Sequence, residues 1–510
     1  MWSRRTKGIR GPGVQGSRGP GAQWKSGSKG EGGGIPSPIT HHSSLVTHHL
    51  QFRLRRICRL QSLFLCLLGV LAVNAWAGAW PFADCVIEYE PGPGQWVNDS
   101  RFNDRERALG RPYGISATAP DNSSLVTLGD HGWITLDFNR PVWDDPRNPH
   151  GLDFIVFGNP TWVSGDPGHR WQEPAFVEIS MDANGNGLPD DEWFLVLPNK
   201  LPSELVGSPA PNCDTGDSRT VLRHYAEYTP TLGLPPGKTP EEFYTVPDRQ
   251  SYAGDPQSLL IDEGSGGGDA FDIAAAVKQT SPGVPVAPYV YAQIPYFDFI
   301  RITDALAGDS AGELGEISAE IDAVSDVSPL PGGQSIGPAK SQPDGSVISL
   351  SQKVVSAVFD GELYVQEEQR SSGIRVKTSD SAAEGDRVDV IGILSTLNGE
   401  RFLDKASVYF VSSGDPPKVL GMPADRVGGA GLSNIGLLVT TCGRVKAVGS
   451  ACFYVNDGSL PDPGLKVRCD GLTPPGEGEY VVVTGVGDRQ PDLTPVVRVR
   501  KQADVIVVPE

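Results

Sequence analysis

Between Met181 and Trp193 the chain places Asp182, Asn184 and Asn186 at alternate positions, followed by Gly187, Leu188, Asp190 and Asp191. Short oxygen-bearing side chains at the first, third and fifth positions, a glycine at the sixth and an acid at the ninth form a donor set for a hard cation. Calcium takes six to eight oxygens, and alternation lets one short loop supply several while a backbone carbonyl adds another. The stretch is therefore read as a structural Ca2+ site. Its ligands are Asp182, Asn184, Asn186, the carbonyl of Leu188, Asp190 and Asp191. The competing reading is an Asn/Gly-rich hairpin turn between a strand ending at Ser180 and one starting at Trp193.

The loop resembles the opening of EF-hand and thrombospondin-repeat calcium loops. It departs from the EF-hand at position 12, which is Trp193 where that family has Glu. Asp191 or a distant acid must then close the shell. A second acidic, glycine-rich stretch runs from Asp262 to Asp272 through Gly264–Gly268, where the backbone could approach a ligand. It lacks the Gly-Lys-Ser/Thr ending of a phosphate loop and the spacing of a dinucleotide fingerprint. A flexible loop, with Asp269 as a helix N-cap or calcium ligand, is what remains.

No catalytic set stands out. His131, His150, His169 and His224 fall at no helical ligand spacing, and there is no His-Glu-x-x-His. Carboxylate pairs such as Glu173 with Glu178 or Asp190 with Glu192 carry little weight in so acidic a chain, because a glycosidase needs two carboxylates held across a cleft. A non-enzyme is expected. Trp133, Trp143, Trp162 and Trp171 are numerous enough for a sugar-stacking face, with core packing as the alternative for each.

These residues need a frame. The chain has 510 residues, 62 of them Gly and 44 Pro, which favours strands and turns over a helical bundle. Short apolar runs recur at Cys85–Tyr89, Trp133–Phe138, Leu152–Phe157, Phe176–Ser180, Trp193–Leu197 and Phe297–Ile302, with turn-forming clusters between them. The expectation over residues 78–330 is a β-sandwich or jelly roll. Residues 331–420 and 421–510 form an internal repeat. Val355–Val358 matches Val445–Val448, Leu363–Val365 matches Phe453–Val455, Gly373–Val376 matches Gly464–Val467, and Gly385–Gly392 matches Gly478–Gly485. The near-constant offset marks a duplicated module. Five or six short strands per copy predict two small closed barrels, whose closure removes exposed edges. The fold class is all-β.

Residues 51–77 read as a secretory signal. Arg53–Arg59 supplies a basic start, Leu60–Val73 an apolar core, and Ala75-Trp76-Ala77 a cleavage site after Ala77. An apolar core of this length is short for a bilayer span, so no membrane anchor is expected after cleavage. Residues 1–50 are a disordered or mistranslated extension. Five cysteines follow the cleavage site, with Cys85–Cys213 a conceivable staple and Cys442 and Cys452 flanking a hairpin. Residues 78–334 hold 14 basic and 39 acidic residues, a poor partner for a phosphate backbone.

The repeat segments Lys353–Val358, Glu362–Gln366, Gly373–Val376 and Gly385–Gly392 resemble the OB-fold family. That resemblance implies a small barrel and, as a second function hypothesis, nucleic-acid or polyanion binding. Arg375 with Lys377 and Lys466 with Arg468 are modest repeated basic pairs, and Tyr364 and Tyr454 are equivalent positions for base stacking or core packing. The first domain resembles a family of uncharacterised bacterial exported or cell-surface proteins. The likeness lies in Tyr89–Gly92, Gly151–Asn159, Phe176–Ser180, Gly267–Asp272 and Phe299–Asp304. It implies a secreted, periplasmic or surface protein and carries over no activity; the expected ligand, a glycan or an envelope protein, is a separate reading that the tryptophans support.

Overall fold

The computed structural model describes residues 80–94, 96–167, 170–171, 173, 175–197, 229–248, 260–304, 318–428 and 434–509. The expected extension 1–50 and expected signal segment 51–77, with Cys213, His169, His224 and most of residues 200–260, lie outside the described residues. The fold is all-β. Its first part is a two-layer sandwich. One layer has seven strands, with Trp133–Trp143, Tyr296–Asp304, Ala175–Ser180 and Trp193–Val196 side by side. The other has three, with Phe154–Phe157 between Ala323–Asp326 and Asp269–Phe271.

Alternation explains the packing. Ile134 and Leu136, Val177 and Ile179, and Ile300 and Ile302 point from the large sheet onto Phe154, Val156, Phe271 and Val324 of the small one. The run Phe154–Phe157 is buried at every position. Its other face, Ile155 and Phe157, is covered by Phe243 and Tyr244. A strand sandwiched on both sides reads as continuous apolar sequence, not as alternation.

The predicted barrels are present. Val347–Phe359, Glu362–Gln366, Gly373–Lys377, Glu400–Ser412 and Arg387–Leu397 close into a ring. In the second copy, Leu438–Val448, Cys452–Asn456, Leu465–Arg468, Pro495–Arg498 and Tyr480–Arg489 do the same, with Leu420–Gly421 and Val505–Val508 added outside. Both rings use one parallel pairing, at Arg375↔Phe402 and at Lys466↔Val496. Both also carry a register shift at the same repeat position, between Val355 and Ala357 and between Val445 and Ala447. Duplication thus extends to a β-bulge, a feature that re-aims a strand.

The three bodies are tightly joined. Trp143 of the sandwich packs on Tyr296 and on Ile391 of the first ring, and its Nε1 donates to Ser407 Oγ at 3.1 Å. Arg147 bonds Asp145 at 2.9 Å and reaches Asp389 of the ring at 3.4 Å. Between the rings, Ala357 and Tyr364 pack on Leu438 and Val486, and Leu438 N donates to Gln366 Oε1 at 3.1 Å. Gly373 and Gly436 meet backbone to backbone. A Cβ on Gly373 would stand 2.2 Å from the Gly436 carbonyl oxygen.

Candidate functional site

The hairpin pairing Ser180↔Trp193 places residues 181–192 at one tip of the large sheet. Cation-loop and hairpin readings therefore describe the same element. Asp182 Oδ2 accepts from Gly187 N at 2.8 Å, Asn184 Oδ1 from Asn186 N at 2.9 Å, and Asn186 Oδ1 from Leu188 N at 2.7 Å. These turns gather the three alternate side chains, with Gly185 and Gly187 taking positive φ values of 70° and 76°. Asp190 closes over them, accepting from Asn184 Nδ2 at 3.0 Å and from Asn186 Nδ2 at 3.0 and 3.1 Å. Asp191 Oδ2 accepts from Ala183 N at 3.1 Å.

All six expected residues thus share one tip, and an acid from another strand joins them. Asp298, on Tyr296–Asp304, accepts from Asp182 N at 2.7 Å. It was invisible to local spacing because only sheet register brings it there. The donors are entirely oxygen and amide, which suits calcium and offers no soft or imidazole ligand. In the structure these oxygens accept from backbone N–H groups and from the amides of Asn184 and Asn186.

Other sequence candidates are resolved by their surroundings. The glycines Gly266–Gly268 do not open the backbone to a ligand. A Cβ at Gly267 would meet the Pro230 carbonyl oxygen at 1.9 Å, and one at Gly268 would meet the Phe157 ring at 2.6 Å, so their neighbours are the protein's own core. Asp269 is not the N-cap. That role falls to Asp272, whose Oδ1 accepts from Ala274 N at 2.7 Å ahead of the short turn Ile273–Ala275. Asp269 itself lies in the strand Asp269–Phe271. Cys442 and Cys452 flank the expected hairpin as free thiols, and Cys469 is a buried free thiol.

The carboxylate pairs separate. Glu178 is fully buried against Arg301, at 2.8 Å, while Glu192 pairs with Lys278 on the surface. Glu173 instead sits beside Glu320. Burial, reinforced by the Glu320 charge, holds Glu173 well above the usual carboxylate range, and burial pushes Glu320 up to about 7. Trp143 is core, and Trp133, Trp162 and Trp171 are half-buried. Exposed aromatics are found elsewhere, at Trp80, Trp96 and Tyr113. Trp96 leans on Phe102 with Arg101 above both rings.

In the barrels the repeated basic residues are engaged at home. Arg375 pairs with Glu400 at 3.0 Å, Arg468 with Asp470 at 2.6 Å, Lys377 with Asp404 at 3.7 Å, and Lys466 bonds Gln490 at 2.7 Å. Tyr364 is fully buried at the seam of the two rings. The sandwich and first ring also enclose a cleft of about 220 Å³ beside Trp143, Arg147, Asn148 and Tyr409. Its one guanidinium is already held by Asp145 and Asp389.

What the fold defines is a β-sandwich followed by a tandem pair of closed barrels. No family model matches the chain, and no curated protein matches it. A solved structure described as the "Molecular basis for abrogation of activation of pro-inflammatory cytokines" is similar at 13% identity. It covers 34% of this chain and 100% of that one, with a TM-score of 0.18. A superposition that poor carries no argument about fold or function.

Proposed function

We propose that this is an exported, non-catalytic protein of the cell surface or periplasm. A calcium-braced sandwich presents the ligand surface, and two barrels behind it form a binding or spacer unit. The observation that supports the reading is the hairpin tip, where backbone turns and amide contacts gather Asp182, Asn184, Asn186, Asp190 and Asp191 within one loop. Calcium there would fasten a long loop, and at extracellular concentrations the ion stabilises the fold by mass action. The ligand class is a glycan or an envelope protein, for which the exposed rings of Trp80, Trp96 and Tyr113 offer stacking surface.

Thermal unfolding of the secreted chain in calcium and in chelator tests the ion. The wild type should melt higher in calcium, and Asp182→Ala should lose most of that difference. Equal melting of the two proteins in both buffers would overturn the reading. Retention on immobilised glycans that survives salt and falls with Trp96→Ala would support the ligand class. Binding to single-stranded DNA that weakens steeply with salt would favour the polyanion alternative instead. That alternative has less behind it, since Arg375, Lys377, Lys466 and Arg468 already have partners within the barrels.

A further inference from the structure

Three carboxylates from distant parts of the chain converge at the sandwich end that faces the first ring. Asp144 follows the strand Trp133–Trp143, Asp153 precedes Phe154–Phe157, and Asp272 caps Ile273–Ala275. One oxygen of each lies within 4.8 Å of the others. Asp153 is the floor, fully buried, while Asp144 and Asp272 are half-buried at the rim and leave a way in from solvent. Among the described residues no Lys or Arg forms an ion pair with any of the three. Like charges so close, and so far out of water, repel strongly without a counter-charge.

A second observation points to what belongs there. Asn148 is 7% exposed, and its Nδ2 donates to Asp153 Oδ1 at 2.9 Å, so the amide faces the group. Its Oδ1 is buried without a hydrogen-bond partner. A buried carbonyl left without a donor is costly, and a cation is the partner that would satisfy it. Half a turn of the amide brings that oxygen to where the nitrogen stands, beside Asp153.

We propose that Asp144, Asp153, Asp272 and the Asn148 carbonyl bind a calcium ion, at a second site separate from the hairpin tip. The donors are all oxygen, which excludes a preference for soft or imidazole-seeking metals. Three oxygens within 4.8 Å of one another fit a sphere of radius about 2.3–2.6 Å, the calcium–oxygen distance, and water at the open rim completes the shell. The ion would tie together three connections of the sandwich. Two of its neighbours in sequence, Trp143 and Asp145, touch the first ring, so occupancy braces that seam as well.

The test uses the full secreted chain carrying Asp182→Ala, which disables the hairpin tip. Equilibrium dialysis against calcium at about 5 mM, above the affinities usual for extracellular modules, should still find one ion per chain. The melting temperature should still rise with calcium. Adding Asp144→Asn with Asp272→Asn should remove that ion and the rise, while in chelator this variant should melt no lower than its parent, because it relieves repulsion. Absence of bound calcium in the Asp182→Ala chain, or retention of the ion in the added double variant, overturns the proposal. If Asp182→Ala does not fold, the wild type is compared directly with Asp144→Asn/Asp272→Asn. Loss of one ion per chain supports the second site, and unchanged stoichiometry overturns it. Failure of the hairpin site alone is distinguishable, because the wild type and Asp182→Ala would then bind equally.

Discussion

Single residues show most sharply what this chain tolerates in its interior. Glu320 is buried beside Glu173 and bonded to Asn159, and burial carries it from an ordinary 4.5 to about 7. Between those two pH values the folded protein holds a proton that the unfolded chain has lost. Stability from this group is therefore fully present below about pH 4.5 and falls as pH rises through 7. Urea unfolding at pH 5 and pH 8 should show that fall in the wild type and a shallower one in Glu320→Gln; parallel slopes would refute the assignment. That the six residues of the hairpin tip come together was legible in sequence because all lie within ten consecutive residues, and local turns gather them. Asp144, Asp153 and Asp272 were not, since contacts such as Asp153 N to the Phe271 carbonyl, at 2.7 Å, exist only after the sheets form. The glycine run misled for a related reason. Composition reveals freedom of the backbone but not what fills the space beside it, here Phe157 and Pro230.

Among the elements, the duplicated barrels were the most readable, since equal spacing of four motifs survives sequence drift. Their closure and shared bulge follow from the same strands taking the same partners. In the sandwich, the six apolar runs all became strands, whereas short ones such as Asp269–Phe271 and Ala323–Asp326 were missed. Their pairing partner is Phe154–Phe157, and sequence distance hides such neighbours. The contact of Gly373 with Gly436 supplies a prediction here. Gly373→Ala drives a methyl against a carbonyl 2.2 Å away, so the turn carrying Gly436 must move off the strand Gly373–Lys377. A cost of about 1–3 kcal/mol is expected. Faster limited proteolysis between the rings would accompany it, and unchanged melting and cleavage would show that the contact is slack.

For the molecule as a whole, the sandwich and the first ring share a buried seam, so they should unfold as one cooperative unit. Trp143 is its centre, only 3% exposed and bonded to Ser407 across it. Trp143→Ala should cost about 3–5 kcal/mol and split the single calorimetric transition of this pair into two. A lone, merely shifted transition would mean that Arg147, with Asp145 and Asp389, suffices to hold the seam. The abutting glycines and the Lys340 Nζ clasp on the Ile435 carbonyl, at 2.9 Å, have a further effect between the rings. They hold the turn before Leu438–Val448 against the first ring, so any rotation of one ring on the other must break these contacts. Were a polymer to grip both rings, its second foothold would come at least cost where its own repeat length matched their spacing.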